Sequence, residues 1–172
     1  MRIAALCALA LLGGVAQAAP DEEYGWYKNE MRCGEARVLV HSYCAQSDHT
    51  GQVSKSNTLC TSQMLTIERP GRKPILRDLH ARRFREHLIA RQVTCTRSSG
   101  DYYLYMSLDN GGNCDTCEAQ DILGLDGRWR MVRNRWLIHG DEKRRITQDL
   151  PAWVKQEGLW LNNMVPDPQF DH

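Results

Sequence analysis

Residues 102–108 read YYLYMSL, and this stretch carries the clearest structural signal in the chain. Its residues fall alternately into two sets, one containing Leu104 and Met106 and the other containing Tyr103 and Tyr105. A period of two places the two sets on opposite faces of a β-strand. The stretch therefore predicts a strand whose Leu104 and Met106 face lies against a core.

Strand and turn signals recur on both sides of this stretch. Segments rich in β-branched and aromatic residues, or alternating in polarity, predict further strands at 36–44, 59–68, 75–79, 89–97, 122–125, 129–132 and 135–139. Turn-forming residues separate these strands at Pro70-Gly71, Ser98-Ser99-Gly100-Asp101, Asp126-Gly127 and Arg133-Asn134. This spacing predicts a mainly β or α+β domain, built as an antiparallel sheet or sandwich.

Helical signals are few, so we expect one or two short helices packed on the sheet. Near the end of the chain, Asp149 is placed to cap the N-terminus of a helix. Pro151 suits the first turn of that helix, and Gly158 suits its C-terminal end. The segment 77–91 is ambiguous, because its basic residues fit either a hairpin strand or a helix with an incomplete apolar stripe.

The first 18 residues have the pattern of a cleavable secretory signal peptide. Arg2 precedes an uncharged apolar run over residues 3–15, and Ala16-Gln17-Ala18 supplies small residues at the expected cleavage point. The run is shorter than the roughly 20 apolar residues that span a bilayer. We therefore predict a periplasmic or secreted protein, with residues 19–172 forming one β-rich domain that is not stably inserted in a membrane.

Six cysteines remain once Cys7 is removed with the signal, namely Cys33, Cys44, Cys60, Cys95, Cys114 and Cys117. An even number in an exported chain predicts a disulfide framework, although six cysteines allow 15 pairings. Only the close spacing of Cys114 and Cys117 suggests a particular pair. Such a motif also occurs in thiol-exchange sites and as half of a zinc site. The turn-rich residues 109–113 before it favour a structural disulfide.

The sequence holds no G-x-S-x-G, H-E-x-x-H or P-loop motif, and its histidines are scattered. We therefore predict no catalytic residue, no metal ligand and no cofactor. Removal of Arg2 leaves 21 basic and 21 acidic side chains, a balance that disfavours nucleic-acid binding.

Basic side chains are concentrated in two stretches. Residues 69–97 hold nine Lys or Arg against two acidic residues, and residues 128–145 hold seven against two. These stretches are either solvated faces or one positive surface that attracts an acidic protein partner. Arginine and tyrosine are enriched at binding hot spots. The candidate partner-binding residues are therefore Arg82, Arg83, Arg85, Tyr103 and Tyr105.

A disulfide-stabilised exported domain without catalytic motifs suits a binding role. We expect an inhibitor or immunity-type protein that blocks a partner enzyme, because a rigid scaffold loses little conformational entropy on association. The alternative is a periplasmic enzyme or thiol-redox protein that uses Cys114 and Cys117. A structural component of the cell envelope is a third reading.

Overall fold

The computed structural model describes residues 24–45, 60–79, 88–109, 118–161 and 165–167. The predicted signal peptide lies outside these ranges and stays a prediction. Eleven strands and one helix are present in the described part: β1 (Tyr24–Cys33), β2 (Ala36–Ala45), β3 (Cys60–Glu68), β4 (Ile75–Asp78), β5 (Ile89–Ser98), β6 (Asp101–Asp109), β7 (Glu118–Gly124), β8 (Trp129–Val132), β9 (Arg135–Trp136), α1 (Gly140–Trp153), β10 (Leu159–Trp160) and β11 (Val165–Pro166).

The strands form two antiparallel sheets, which confirms the predicted fold class. The first sheet has the order β11-β1-β2-β3-β4, and the second has the order β10-β5-β6-β7-β8-β9. Side chains from both sheets, including Val38, Leu65, Val93 and Leu104, form one buried cluster between them. Burial of apolar surface between the sheets is therefore the main force that holds the sandwich together.

Strand β6 is buried on both faces. Leu104 and Met106 are fully buried between the sheets, as the alternation predicts. Tyr103 and Tyr105 lie on the opposite face, where α1 covers them, and are only 3% and 4% exposed. The helix thus turns the second face of the sheet into a second core, so the two rings offer little exposed surface, and their role in partner binding stays a prediction.

Helix α1 begins nine residues before Asp149, so the prediction of its start was wrong. Pro151 lies in the last turn of the helix instead of the first. The true start carries Asp141 and Glu142 in its first turn, where negative charge favours the helix dipole. The helix packs through Ile146, Leu150 and Trp153, whose spacing places them on one face.

The predicted hairpins are present at the described turns. Ser99 and Gly100 both have positive φ between β5 and β6, and Arg133 and Asn134 do the same between β8 and β9. Two consecutive positive φ angles match the twist of a two-residue hairpin. The ambiguous segment 77–91 contains the last residues of β4 and the first residues of β5, and residues 80–87 between them lie outside the described part.

Two disulfides join the described cysteines. Cys33 to Cys95 links β1 of the first sheet to β5 of the second, and Cys44 to Cys60 links the neighbouring strands β2 and β3. The predicted Cys114–Cys117 pair lies outside the described residues and stays a prediction. In the ranges that the structure describes, no helix is long and apolar enough to cross a membrane.

Gln63 connects the two sheets by hydrogen bonds within the core. Its side-chain amide accepts a bond from the backbone N–H of Ala90 at 2.6 Å and donates to the Ala90 carbonyl at 3.0 Å. It also donates to Ser42 Oγ at 3.3 Å. A buried amide is tolerated only when its donors and acceptors are satisfied, as they are here.

Candidate functional site

A cleft of about 810 Å³ opens at one end of the sandwich, between four hairpin turns. The first sheet supplies the turns β1–β2 (34–35) and β3–β4 (69–74). The second sheet supplies the turns β5–β6 (99–100) and β7–β8 (125–128). Because consecutive hairpins of an antiparallel sheet place alternate turns at the same end, these four turns meet although they are distant in sequence.

Close packing between the turns of the two sheets fixes one side of the cleft. Gly34 has φ +59° and lies against the ring of Tyr102, so that a Cβ atom at this position would be 2.9 Å from two ring carbons. The adjacent Cys33 is bonded to Cys95. A glycine and a disulfide together hold the β1–β2 turn beside the second sheet.

A second contact fixes the other side of the cleft. Gly127 has φ +78°, and a Cβ atom there would be 2.6 Å from Ile75 Cγ2. Arg77 Nε donates a hydrogen bond of 2.8 Å to the Gly127 carbonyl. Strand β4 is thus joined to the β7–β8 turn, and the β3–β4 turn is held near it.

Arginines from both basic stretches reach the cleft. Arg69 and Arg72 come from the β3–β4 turn, and Arg130 comes from β8. Arg72 is exposed, whereas Arg69 is partly buried and its Nε is shielded from solvent with no hydrogen-bond acceptor among the described residues. An unsatisfied buried N–H is uncommon in folded proteins, and among the described residues that line the cleft Arg69 alone has a buried side-chain atom of this kind.

Arg130 is neutralised by two carboxylates. Its Nε donates to Glu142 Oε1 at 2.6 Å, and its Nη2 lies 3.0 Å from Asp126 Oδ2. Burial works to raise the pKa of Asp126, but the hydrogen bonds from Arg130 and Arg128 hold it below its ordinary value. Tyr103 also donates to Glu142 Oε1, at 3.3 Å. Arg130 therefore ties α1 to the β7–β8 turn and has little charge to offer a ligand.

The remaining charged side chains of the cleft are two arginines, here called its basic half, and two carboxylates, here called its acidic half. Arg69 and Arg72 lie on the β3–β4 turn, whereas Glu35 lies on the β1–β2 turn and Asp101 starts β6 beside the β5–β6 turn. Within the part of the chain that the structure describes, these four side chains form no ion pair with one another. Arginines of both basic stretches thus line one cleft together with acidic residues, and the predicted positive surface as a whole stays a prediction.

The structure describes two of the five residues predicted from sequence to bind a partner. Tyr103 lines the cleft but is mostly covered, and Tyr105 belongs to the core under α1. Arg82, Arg83 and Arg85 lie outside the described residues, so their role stays a prediction. The sequence reasoning missed Glu35 and Asp101, and it included Arg69 only as the first residue of a basic stretch. Their positions in or next to hairpin turns are a signal that could have found all three.

Outside the cleft, one histidine–carboxylate pair lies on the outer face of the first sheet. His41 Nε2 is 3.3 Å from Asp167 Oδ2, and burial lowers the pKa of His41 despite the neighbouring carboxylate. A search of the described ranges finds no group of three or more His, Cys, Asp or Glu side chains that could hold a metal ion.

Comparison of the whole chain with protein-family models, with curated proteins and with solved structures finds no match in any of the three. The function therefore has to follow from the chemistry of the cleft and from the frame that holds it. That frame is a disulfide-bonded β-sandwich of two antiparallel sheets.

Proposed function

We propose that the mature chain is an exported binding protein of the inhibitor or immunity type, which blocks a partner enzyme through the turn end of the sandwich. The observation that carries the proposal is the meeting of four hairpin turns around one charged cleft. Turns that project from a β-sandwich suit recognition, because binding residues are commonly found on loops positioned by a rigid scaffold.

Rigidity of the frame supports a blocking role. The Cys33–Cys95 disulfide joins the sheets close to the cleft, and the contacts of Gly34 and Gly127 hold opposite turns together. A surface that is already ordered loses little conformational entropy when a partner binds. Such a surface can therefore occupy the active site of an enzyme without itself rearranging.

A thiol-redox role would fall to Cys114 and Cys117, because the other four mature cysteines are in disulfides. Both cysteines lie outside the described residues, so this alternative stays a prediction. We propose the binding role because the described cleft supports it.

The test is inhibition, because capture of a protein from an extract does not by itself establish a function. Oxidised protein of residues 19–172 is immobilised, exposed to envelope extract of the organism that encodes it, and the bound enzyme is recovered. Its activity is then titrated with the free protein. We expect activity to fall to a minimum near equimolar protein.

Variants separate the cleft from the rest of the surface. The double substitution Arg69→Gln/Arg72→Gln should weaken inhibition, whereas Arg145→Gln on the exposed face of α1 should not. Full activity of the recovered enzyme at saturating protein would overturn the proposal. Equal inhibition by the cleft variant and the Arg145 control would show that blocking does not use this end of the sandwich.

A further inference from the structure

Arg69 carries a side-chain donor that no described residue accepts from. Its Nε is buried and has no acceptor among the described residues, while its guanidinium belongs to the wall of an open cleft. Because Nε itself is shielded from solvent, a ligand in the cleft would approach the rest of the Arg69 guanidinium, which lines the wall. Carboxylate is the natural complement, since it pairs with guanidinium through charge-assisted and often bidentate hydrogen bonds.

Opposite charges across the same cleft restrict what can bind there. Glu35 and Asp101 come from the side of the cleft where Gly34 touches Tyr102, and Arg69 and Arg72 come from the β3–β4 turn. A purely acidic segment would meet the two carboxylates, and a purely basic segment would meet the two arginines. Like charges placed together disfavour binding, so each half of the cleft rejects one kind of ligand.

We propose that the cleft binds a polypeptide segment of the partner in which an Asp or Glu side chain lies close to a Lys or Arg side chain. Arg69 and Arg72 receive the carboxylate, and Glu35 and Asp101 receive the cation. This inference rests on the proposed binding function and names the chemistry of the partner. It revises the expectation of a generally acidic partner, which the sequence stretches alone suggested.

The dimensions and lining of the cleft fit such a segment. Its volume of about 810 Å³ lies in the range of typical ligand sites, roughly 300–1,000 Å³. Those sites are mostly apolar, whereas this one is lined by charged residues and by turn residues such as Pro70 and Gly100. A charged peptide segment suits that lining better than an apolar small molecule does.

Synthetic peptides test the inference without knowledge of the partner. The probes are four capped octapeptides, identical except for two positions that hold Glu and Lys, Glu and Glu, Lys and Lys, or Gln and Gln. Affinity is measured by calorimetry, and NMR follows the Nε–H signal of Arg69, assigned with Arg69→Gln. We expect the Glu and Lys peptide to bind about tenfold more tightly than each of the others, the effect of one well-placed charged pair.

Substitutions assign each half of the cleft. Arg69→Gln should abolish the preference for a peptide with Glu, and the exposed Arg72→Gln serves as a second variant if Arg69→Gln lowers the folded fraction. Glu35→Gln/Asp101→Asn should remove discrimination against the Glu and Glu peptide. Arg145→Gln is the matched control and should bind as the native protein does.

The outcomes separate this inference from the proposed function. Equal or tighter binding of the Glu and Glu peptide to the native protein, or no shift of the Arg69 Nε–H with any peptide, would overturn the bipolar ligand. Inhibition of an enzyme together with either result would leave the blocking function standing. A charge-selective peptide response with no inhibition would support the ligand chemistry and remove the blocking function.

Discussion

Cys33 in the first sheet is bonded to Cys95 in the second, with an S–S distance of 2.06 Å, and this bond crosses the core of the sandwich. The two cysteines are 62 residues apart in sequence. The other described disulfide, Cys44 to Cys60, spans 16 residues and stays within the first sheet. The two bonds therefore restrict the unfolded chain to different extents.

Removal of each disulfide should reveal that difference. A loop of 62 residues corresponds to about 4 kcal/mol of stabilisation and one of 16 residues to about 3 kcal/mol in the chain-entropy description. We expect Cys33→Ala/Cys95→Ala to lower the free energy of unfolding more than Cys44→Ala/Cys60→Ala does. Denaturant titration measures both, with intact mass confirming the remaining bonds. The opposite order would contradict the prediction.

Gly34 should tolerate a side chain less well than Gly71 does. Both have positive φ, at +59° and +66°, but a Cβ at Gly34 would meet the Tyr102 ring whereas a Cβ at Gly71 would meet nothing within 4 Å. Gly71→Ala should therefore cost only the left-handed backbone strain, about 1–2 kcal/mol. Gly34→Ala should cost more in thermal or denaturant unfolding. Equal losses would show that the Tyr102 contact yields easily.

Asp121 should make stability fall as pH rises from 4 to 6. Burial raises its pKa to about 6 from an ordinary 3.8, although the backbone N–H of Arg133 donates to it at 2.5 Å and works in the opposite direction. In this window the folded chain binds more protons than the unfolded chain, so the free energy of unfolding decreases with pH.

The variant Asp121→Asn isolates this contribution. Asn cannot ionise, so the stability of the variant relative to the native protein should rise by about 2–3 kcal/mol between pH 4 and pH 7. Urea titrations at several pH values measure the difference. A relative stability that does not change with pH would show that Asp121 ionises normally in the folded protein.

Tyr103 should behave as a core residue. It stacks on Trp153 with ring centroids 5.8 Å apart, and its hydroxyl donates to Glu142. Tyr103→Phe should cost about 0.5–1.5 kcal/mol for the lost hydrogen bond, and Tyr103→Ala about 3–5 kcal/mol for the lost packing. Trp153→Ala should match the larger loss. A Tyr103→Ala variant that keeps native stability would contradict a core role for this ring and favour a role in partner binding.

The exported form is expected to begin at Ala19 and to contain no free thiol. The reasons are the Ala16-Gln17-Ala18 ending and the six cysteines that follow. Intact mass of the secreted protein, before and after reduction and alkylation, measures both properties. An unprocessed N-terminus, or alkylation without reductant in denaturant, would contradict the prediction.

Local patterns predicted the hairpins of both sheets well. The alternation in β3 placed Gln63, Leu65 and Ile67 on one face, and all three are fully buried. Thr61 belongs to the same alternating set of positions but is exposed, because a register shift between Tyr43 and Cys44 interrupts the pairing of β2 with β3. Alternation cannot reveal an irregularity that depends on the neighbouring strand.

Strand β1 was not predicted, and helix α1 was predicted with the wrong start. Strand β1 contains Lys28 and Glu30 on its outer face, so its composition resembles that of a loop although it pairs with β2 along its full length. Helix α1 has a narrow apolar stripe formed by Ile146, Leu150 and Trp153. This stripe is a weak helical signal, so the prediction relied on Asp149 as an N-terminal cap. Asp149 in fact lies close to the C-terminal end of the helix.

The cleft could be predicted only in part. The sequence showed two basic stretches, but not that Glu35 and Asp101 would face the same opening as Arg69. Glu35 and Arg69 are 34 positions apart, and their convergence depends on which turns lie at the same end of the two sheets. Sheet order and the packing of one sheet on the other determine which turns meet, and local periodicity in the sequence reports neither.

Separation of the turn end from the packed core has an evolutionary consequence. Leu104, Met106 and Val93 hold the sandwich together without contributing to the cleft, while the charged residues of the cleft lie in turns or at strand ends. Descendants of such a gene can exchange turn residues, and hence binding preference, at little cost to folding. If the cleft binds a partner as proposed, we expect divergent copies to keep the interior and to vary at Glu35, Arg69 and Arg72.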